Sequence, residues 1–197
     1  MTSINTSLFN FINHGLQNPV LDILMPAITE LGSFVFITIL LVIIFLIAKF
    51  KSKEEMKNII LICIVSVLFV GLITLILKYI VNEPRPFMAL SNVHLLVVED
   101  DLRSFPSGHT ATIFSLITCL TLNIKEYVKH YKAVRCILVV YGIIIGFSRI
   151  YVGVHYPIDV IFGAAIGICG SIFISNFEDR ILDYYYEITG KFKMGKT

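Results

Sequence analysis

Three short segments of this 197-residue chain hold most of the side chains that could do chemistry. Lys78 and Arg85 lie in Lys78-Tyr-Ile-Val-Asn-Glu-Pro-Arg85-Pro86. Pro106-Ser107-Gly108-His109 comes next, and Ser148-Arg149 leads to His155-Tyr-Pro157-Ile-Asp159. Lys78, Arg85 and Arg149 are three cations, and the carboxylates at hand are only Asp159 and Glu83. Unmatched cations call for an anion, and arginine forks suit phosphate oxygens especially well. Ser107 and Gly108 stand where a helix would begin, with unpaired backbone N–H groups and the positive end of a dipole. Gly108 has no side chain to hold an oxyanion away. The pattern predicts a pocket for a tetrahedral dianion.

Two histidines supply reactivity, since imidazole can attack phosphorus or move protons near neutral pH. Pro157 suits the first turn of a helix, which puts Asp159 about one turn from His155. Its carboxylate could accept a hydrogen bond from one ring nitrogen and leave the other aimed at substrate, the orienting logic of a triad. His109 has no such carboxylate nearby in sequence and suits a general acid at the leaving group.

Each element also has a plainer reading. A lone histidine at the end of a membrane span is more often an interfacial polar residue, and His14, His94 and His130 are read that way. Lys78 alone could snorkel to the headgroups, and Pro106 and Ser107 alone could be a routine helix start. Arg149 is harder to dismiss, since it needs a partner anion. The structural reading fails for the set, which would have to gather three cations, two histidines and two helix starts by accident.

The elements that must position these residues are membrane helices. Hydrophobic residues make up 56% of the chain, charged residues 15%, and the mean hydropathy is +0.83. Soluble domains carry about 25% charged residues, so the composition excludes a soluble enzyme and a disordered tail. A net charge of +2 hardly supplies a nucleic-acid patch. The four cysteines sit in apolar runs without CxxC spacing and read as packing residues. Residues 1–32 contain no Lys or Arg, so no signal-peptide start is recognised.

A span needs about 20 helical residues. Runs at 31–48, 58–77, 104–124, 136–154 and 160–177 predict five spanning helices. In residues 1–30, Ile4, Leu8, Ile12 and Leu16 recur every fourth position and predict a helix in the interface. Asp22, Pro26 and Glu30 then interrupt the next apolar stretch, which predicts a short or half-buried helix. The fold class is all-α, a polytopic bundle in one domain: N-terminal helices over 1–30, spans and catalytic loops over 31–177, and a tail over 178–197.

If the spans alternate, loops 49–57, 125–135 and 178–197 share one face. It carries Lys49, Lys51, Lys53, Lys57, Lys125, Lys129, Lys132, Arg135, Arg180, Lys191, Lys193 and Lys196. The other face has only Lys78, Arg85, Arg103 and Arg149. The positive-inside rule places the first face in the cytoplasm and the chemical segments outside. Alternation also brings those segments to one end of the bundle. Glu99-Asp100-Asp101 in the outer loop reads as a solvated stretch rather than a gate. Gly142/Gly146 and Gly163/Gly167 have the spacing that lets helices approach closely. Dimerisation through them is one reading; tight packing of spans four and five within one chain is the more economical.

The three segments resemble the signature of the type 2 phosphatidic acid phosphatase (PAP2) superfamily, which shares its site with class A acid phosphatases and vanadium haloperoxidases. The family pattern is K-x6-R-P, P-S-G-H and S-R-x5-H-x3-D. The chain reads Lys78-x6-Arg85-Pro86, Pro106-Ser107-Gly108-His109 and Ser148-Arg149-x5-His155-x3-Asp159 without departure. The resemblance implies that His155 forms a phosphohistidine, with Asp159 orienting it. It implies that His109 protonates the leaving group and then activates water, and that Lys78, Arg85, Ser107, Gly108 and Arg149 hold the phosphoryl oxygens. It implies no metal and no cofactor.

An outward-facing site in a small bundle favours a lipid phosphate, and carrier-lipid recycling above others: undecaprenyl diphosphate cut to its monophosphate. Phosphatidylglycerol phosphate and phosphatidate are alternatives, as is a phosphotransferase that discharges the phosphohistidine to a hydroxyl. A lipid-binding protein is the non-enzyme alternative, although it would have no need of His155 with Asp159 or of His109.

Overall fold

A computed structural model describes residues 3–190, most of them helical. Its α-helices are α1 (Ser3–Asn13), α2 (Pro19–Glu30), α3 (Phe34–Phe50), α4 (Glu54–Val81), α5 (Pro86–Ala89), α6 (Gly108–Asn123), α7 (Tyr131–Tyr151), α8 (Pro157–Ser175) and α9 (Glu178–Thr189). Local chemistry sets the boundaries. Asn18 and Ser33 cap α2 and α3 by accepting from the Val20 and Phe36 amides. Asn82 closes α4 in a left-handed conformation, just before Pro84 and Pro86. Pro157 opens α8.

The expected spans fall on α3, α4, α6, α7 and α8. Of these, α4, α7 and α8 are each long and apolar enough to cross a membrane, and α2 and α3 qualify together as a pair bent by 52°. α6 is shorter than expected. Its 16 residues rise only about 24 Å at about 1.5 Å each, less than the about 30 Å of a hydrocarbon core. A helix this short is tolerated because α3, α4, α7 and α8 enclose it.

Two glycines allow that enclosure. A Cβ on Gly163 would stand 2.6 Å from the Ser107 carbonyl oxygen, and one on Gly167 would meet the Ala111 carbonyl and stand 2.8 Å from the Ser115 amide. α8 therefore lies directly on the α6 backbone, and the Ser115 and Ser171 hydroxyls bond across the seam at 2.8 Å. The paired glycines serve packing within the chain, but not chiefly of α7 against α8. Gly142 faces Ile117 and Phe114 of α6, and Gly146 faces Val160 of α8 and Thr110 of α6.

α1 is turned the other way round from a simple amphipathic helix. Ile4 and Leu8 of the apolar repeat face outward, whereas Asn5, Phe9 and Asn13 are buried against the bundle. Asn13 Nδ2 donates to the carbonyls of His94 (2.9 Å) and Tyr151 (2.8 Å), and the Ile158 amide donates to Asn5 Oδ1 at 3.1 Å. Of the residues expected to form a tail, Glu178–Thr189 are helical. Tyr186 of α9 donates to Glu54 (3.0 Å) and Asn58 (2.9 Å) at the start of α4. Lys57 pairs with Glu54 there, under the rings of Tyr185 and Tyr186. Lys191, Lys193 and Lys196 lie outside the described residues. Cys63 and Cys119 are core residues, but Cys136 and Cys169 are exposed rather than packed.

Candidate active site

Four helix ends make the site. Lys78 lies in the last turn of α4 and Arg149 in the last turn of α7; His109 follows the first residue of α6, and Asp159 is in the first turn of α8. Arg85 precedes α5, and His155 stands in the turn between α7 and α8. Gly153 makes that turn with φ +88°, where a Cβ would come 2.7 Å from the His94 carbonyl oxygen. All of the sequence-predicted side chains among Lys78, Arg85, Ser107, Arg149, His155 and Asp159 are buried.

His155 Nδ1 lies 3.3 Å from Asp159 Oδ2, and its Nε2 lies 3.4 Å from Arg85 Nη1. The tautomer that satisfies both contacts donates from Nδ1 to Asp159 and leaves the Nε2 lone pair facing the cations. Asp159 Oδ2 is itself held by the Ser104 hydroxyl at 2.5 Å and the Tyr156 amide at 2.9 Å. Burial, then the charges of Arg85, Arg149 and Lys78, push the His155 imidazole well below the ordinary histidine value of 6.5. A neutral, oriented imidazole is the form that can act as a nucleophile.

The cations are not unmatched, which corrects the reading of the outer loop. Glu99 bridges two of them: Oε2 is 3.2 Å from Arg85 Nη2, and Oε1 pairs with Arg149 Nη2. Asp101 Oδ2 is 3.0 Å from Lys78 Nζ, and its Oδ1 is 3.0 Å from Arg103 Nε. Burial raises the Asp101 carboxyl, but the hydrogen bond and charge of Lys78, with the Arg103 donors, outweigh it and hold it below the usual carboxylate range. The acidic stretch is thus a strap across the site. Its ends are tied by the Leu96 amide to the Val152 carbonyl (3.1 Å) and the Ser104 amide to the Glu83 carbonyl (2.7 Å). Asp100 alone points into solvent.

Ser107 differs in detail from expectation. Its backbone N–H is taken by the Asp159 carbonyl at 3.0 Å, and its hydroxyl accepts from Thr110 Oγ1 at 3.0 Å, which leaves the hydroxyl proton for a ligand. Gly108 keeps the space expected of it: a Cβ there would meet nothing closer than Thr74 Cγ2 at 3.9 Å. Among the described residues, His109 Nε2 and Arg149 Nε are buried without a hydrogen-bond partner, the condition of atoms that a ligand would satisfy. Beside the strap, a cavity of about 470 Å³ is lined by Glu83, Met88, Leu102 and Arg103 among others.

Sequence reasoning missed three contributors. Glu99 and Asp101 are two. The third is Thr29 of α2, whose hydroxyl accepts from Arg149 Nη1 at 2.7 Å. His14 and His94, read as interfacial, tie the outer loop down: His14 Nε2 contacts the Asn92 carbonyl at 2.5 Å, and His94 Nε2 contacts Asp22 at 3.0 Å.

Residues 59–182 match the model of the PAP2 superfamily, and the chain belongs to that superfamily. Over 184 residues it is 33% identical to the undecaprenyl-diphosphatase BcrC of Bacillus subtilis, covering 90% of this chain and 86% of that one. Its fold superposes on the crystal structure of LpxE from Aquifex aeolicus with a TM-score of 0.72 and 35% identity, covering 89% and 96% of the two chains. It superposes equally on a transmembrane PAP2-type phosphatidylglycerolphosphate phosphatase from Bacillus subtilis, with a TM-score of 0.75 and 28% identity over 91% and 89%. The chain is a multi-pass membrane phosphatase of the PAP2 type, a phosphoric ester hydrolase.

Proposed function

We propose that the protein releases the terminal phosphate of an isoprenoid diphosphate, undecaprenyl diphosphate, at the extracytoplasmic surface through a phosphohistidine on His155. The observation that carries the mechanism is the His155 ring itself. Its Nδ1 is backed by Asp159, and its Nε2 faces a pocket of three cations. Nε2 attacks the terminal phosphorus, the bond from phosphorus to the bridging oxygen breaks, and His109 gives its proton to the leaving prenyl monophosphate. Water then attacks the phosphohistidine, His109 takes a proton from it, and inorganic phosphate leaves. Lys78, Arg85, Arg149, the Ser107 hydroxyl and the backbone at Gly108 hold the phosphoryl oxygens. Positioning and charge stabilisation are the main tasks in phosphoryl transfer.

The choice of lipid is supported by BcrC, whose likeness covers nearly the whole chain. The likeness to the phosphatidylglycerolphosphate phosphatase fold makes that lipid the second reading. The outward orientation is supported by charge. Lys49, Lys51, Lys53, Lys125, Lys129, Lys132, Arg135 and Arg180 cluster at the end of the bundle away from the site, which the positive-inside rule assigns to the cytoplasm together with the C-terminal end.

The test is product formation by the purified protein in detergent with EDTA, on undecaprenyl diphosphate, phosphatidylglycerol phosphate and phosphatidate. Turnover that ignores EDTA and vanishes in His155→Ala is expected, fastest with the diphosphate. Unchanged turnover in His155→Ala would sink the mechanism, and a faster glycerolipid would overturn the substrate.

A further inference from the structure

Arg149 is nearly inaccessible, and its guanidinium has three faces to satisfy. Nη2 is on Glu99, Nε has no partner among the described residues, and Nη1 donates to Thr29 at 2.7 Å. Glu99 sits on a strap held in part by the cations themselves. Thr29 is different: it is fully buried and fixed on a helix. The face of α2 that carries it is anchored to the end of α7 at two further points. The Tyr151 hydroxyl donates to Asp22 Oδ1 at 2.6 Å, and the Asn18 amide donates to that hydroxyl at 3.0 Å. Met25 packs into the cluster of Tyr151, Val152 and Val154. Asp22 and Thr29 are seven residues apart, about two turns, and so share a face. α2 therefore grips α7 at Tyr151 and, along the same face, at Arg149.

We propose that Thr29 is a positioning residue of the reaction: its hydroxyl fixes the plane of the Arg149 guanidinium so that the remaining N–H groups meet the phosphoryl oxygens. The inference rests on the reading that Arg149 holds the phosphoryl group. It goes beyond the match to the family model, because α2 precedes the matched residues 59–182. The N-terminal helices are thus part of the site's construction as well as of the bundle's edge. A fork fixed at one nitrogen loses less freedom when it engages a ligand, and a site residue needs its rotamer locked by neighbours of this kind.

Thr29→Val keeps the shape and removes the acceptor; Thr29→Ser keeps the acceptor. The full-length protein in detergent is assayed for turnover of undecaprenyl diphosphate and, separately, for binding of inorganic phosphate by calorimetry. Thr29→Val is expected to lower kcat/KM and phosphate affinity by about tenfold or more, the scale of one hydrogen bond to a charged group. Thr29→Ser is expected to stay within about threefold. Combined with Arg149→Lys, which has no fork to orient, Thr29→Val should change phosphate affinity by less than about twofold. A tenfold loss that persists in the Arg149→Lys background, or equal losses in Val and Ser, would overturn the inference. So would a Thr29→Val protein as active as the wild type. A wild type that turns over no lipid phosphate yet shows the expected pattern of phosphate binding would overturn the functional reading alone.

Discussion

Replacing Glu99 by glutamine removes the anion that the resting site holds, and its effect follows from which N–H groups are involved. Glu99 places one oxygen on Arg85 Nη2 and the other on Arg149 Nη2, the two-oxygen geometry a phosphoryl group would use on the same arginines. Ligand and carboxylate therefore compete. Glutamine at this position has one carbonyl oxygen instead of two charged ones, so one contact is lost to a neutral bond and the other turns unfavourable. At about 1 kcal/mol lost per contact, the equilibrium constant for seating the strap on the arginines falls roughly thirtyfold. Where the wild-type strap holds them about nine-tenths of the time or more, apparent affinity for any phosphate rises by roughly tenfold, up to that thirtyfold limit. The assay is competitive inhibition by inorganic phosphate, with turnover followed as prenyl product by chromatography. Ki for phosphate and KM for the diphosphate should fall together by that factor in Glu99→Gln. Asp100→Asn, at the exposed neighbour, should leave both within about twofold. An unchanged or weaker Ki in Glu99→Gln would refute the competition and leave the strap as a structural brace.

Three further outcomes are expected. With His155 held neutral by burial and the surrounding cations, the acid limb of kcat/KM for the free enzyme should lie below the ordinary histidine value of about 6.5. The same depression gives a stability term that is full above the unfolded value and is lost as pH falls from about 6.5 towards the folded one. Thermal midpoints of the wild type should therefore drop more steeply over that window than those of His155→Asn. Gly167→Ala should cost about 1–3 kcal/mol by overpacking, since its Cβ would meet the Ala111 carbonyl and the Ser115 amide; a thermal midpoint in detergent equal to wild type would show that the α6–α8 seam can relax. A cysteine at Ser91, with Cys136 and Cys169 replaced by alanine, should react with an impermeant thiol reagent in intact cells. Labelling only after lysis would reverse the orientation.

The residues written into the three sequence segments are those the fold brings together, because their spacing is local and ends at helix termini. Lys78 and Arg149 close helices, while His109 and Asp159 lie in the first turns of helices, and each position has a turn signal beside it in Asn82, Pro106, Gly153 or Pro157. Glu99 and Asp101 carried no such signal. Flanked by Val98 and Leu102 in a loop between spans, three acidic residues have the pattern of a solvated stretch. Which of them turns inward depends on where the strap is tied, and those ties, Leu96 to Val152 and Ser104 to Glu83, are tertiary. Thr29 was hidden for a similar reason. A threonine near the end of an interrupted apolar helix has no local mark of function until α2 is docked on α7. The length of α6 was misjudged because an apolar count cannot tell a helix that must reach both water layers from one enclosed by its neighbours.

The charges of the site bear on how, in the proposed reaction, an anion would be held there and still leave. Lys78 and Arg149 sit in the last turns of α4 and α7, where the negative end of each helix dipole favours a cation by about 0.3–1 kcal/mol, more when partly buried. Their positive charge is thus partly offset by the backbone that carries them, and the pocket does not depend wholly on a fixed carboxylate partner. The one carboxylate held by fixed donors, Asp159, is occupied with His155, Ser104 and the Tyr156 amide. The two that pair with Lys78, Arg85 and Arg149, Glu99 and Asp101, are on the strap. The proposed reaction needs this division: the carboxylate behind His155 is locked into a helix, and the carboxylates that neutralise the cations are carried on a loop. Had Glu99 and Asp101 been placed on α4 or α8, they would have made permanent ion pairs, and incoming phosphate would have met a closed salt bridge with nowhere for the carboxylates to go.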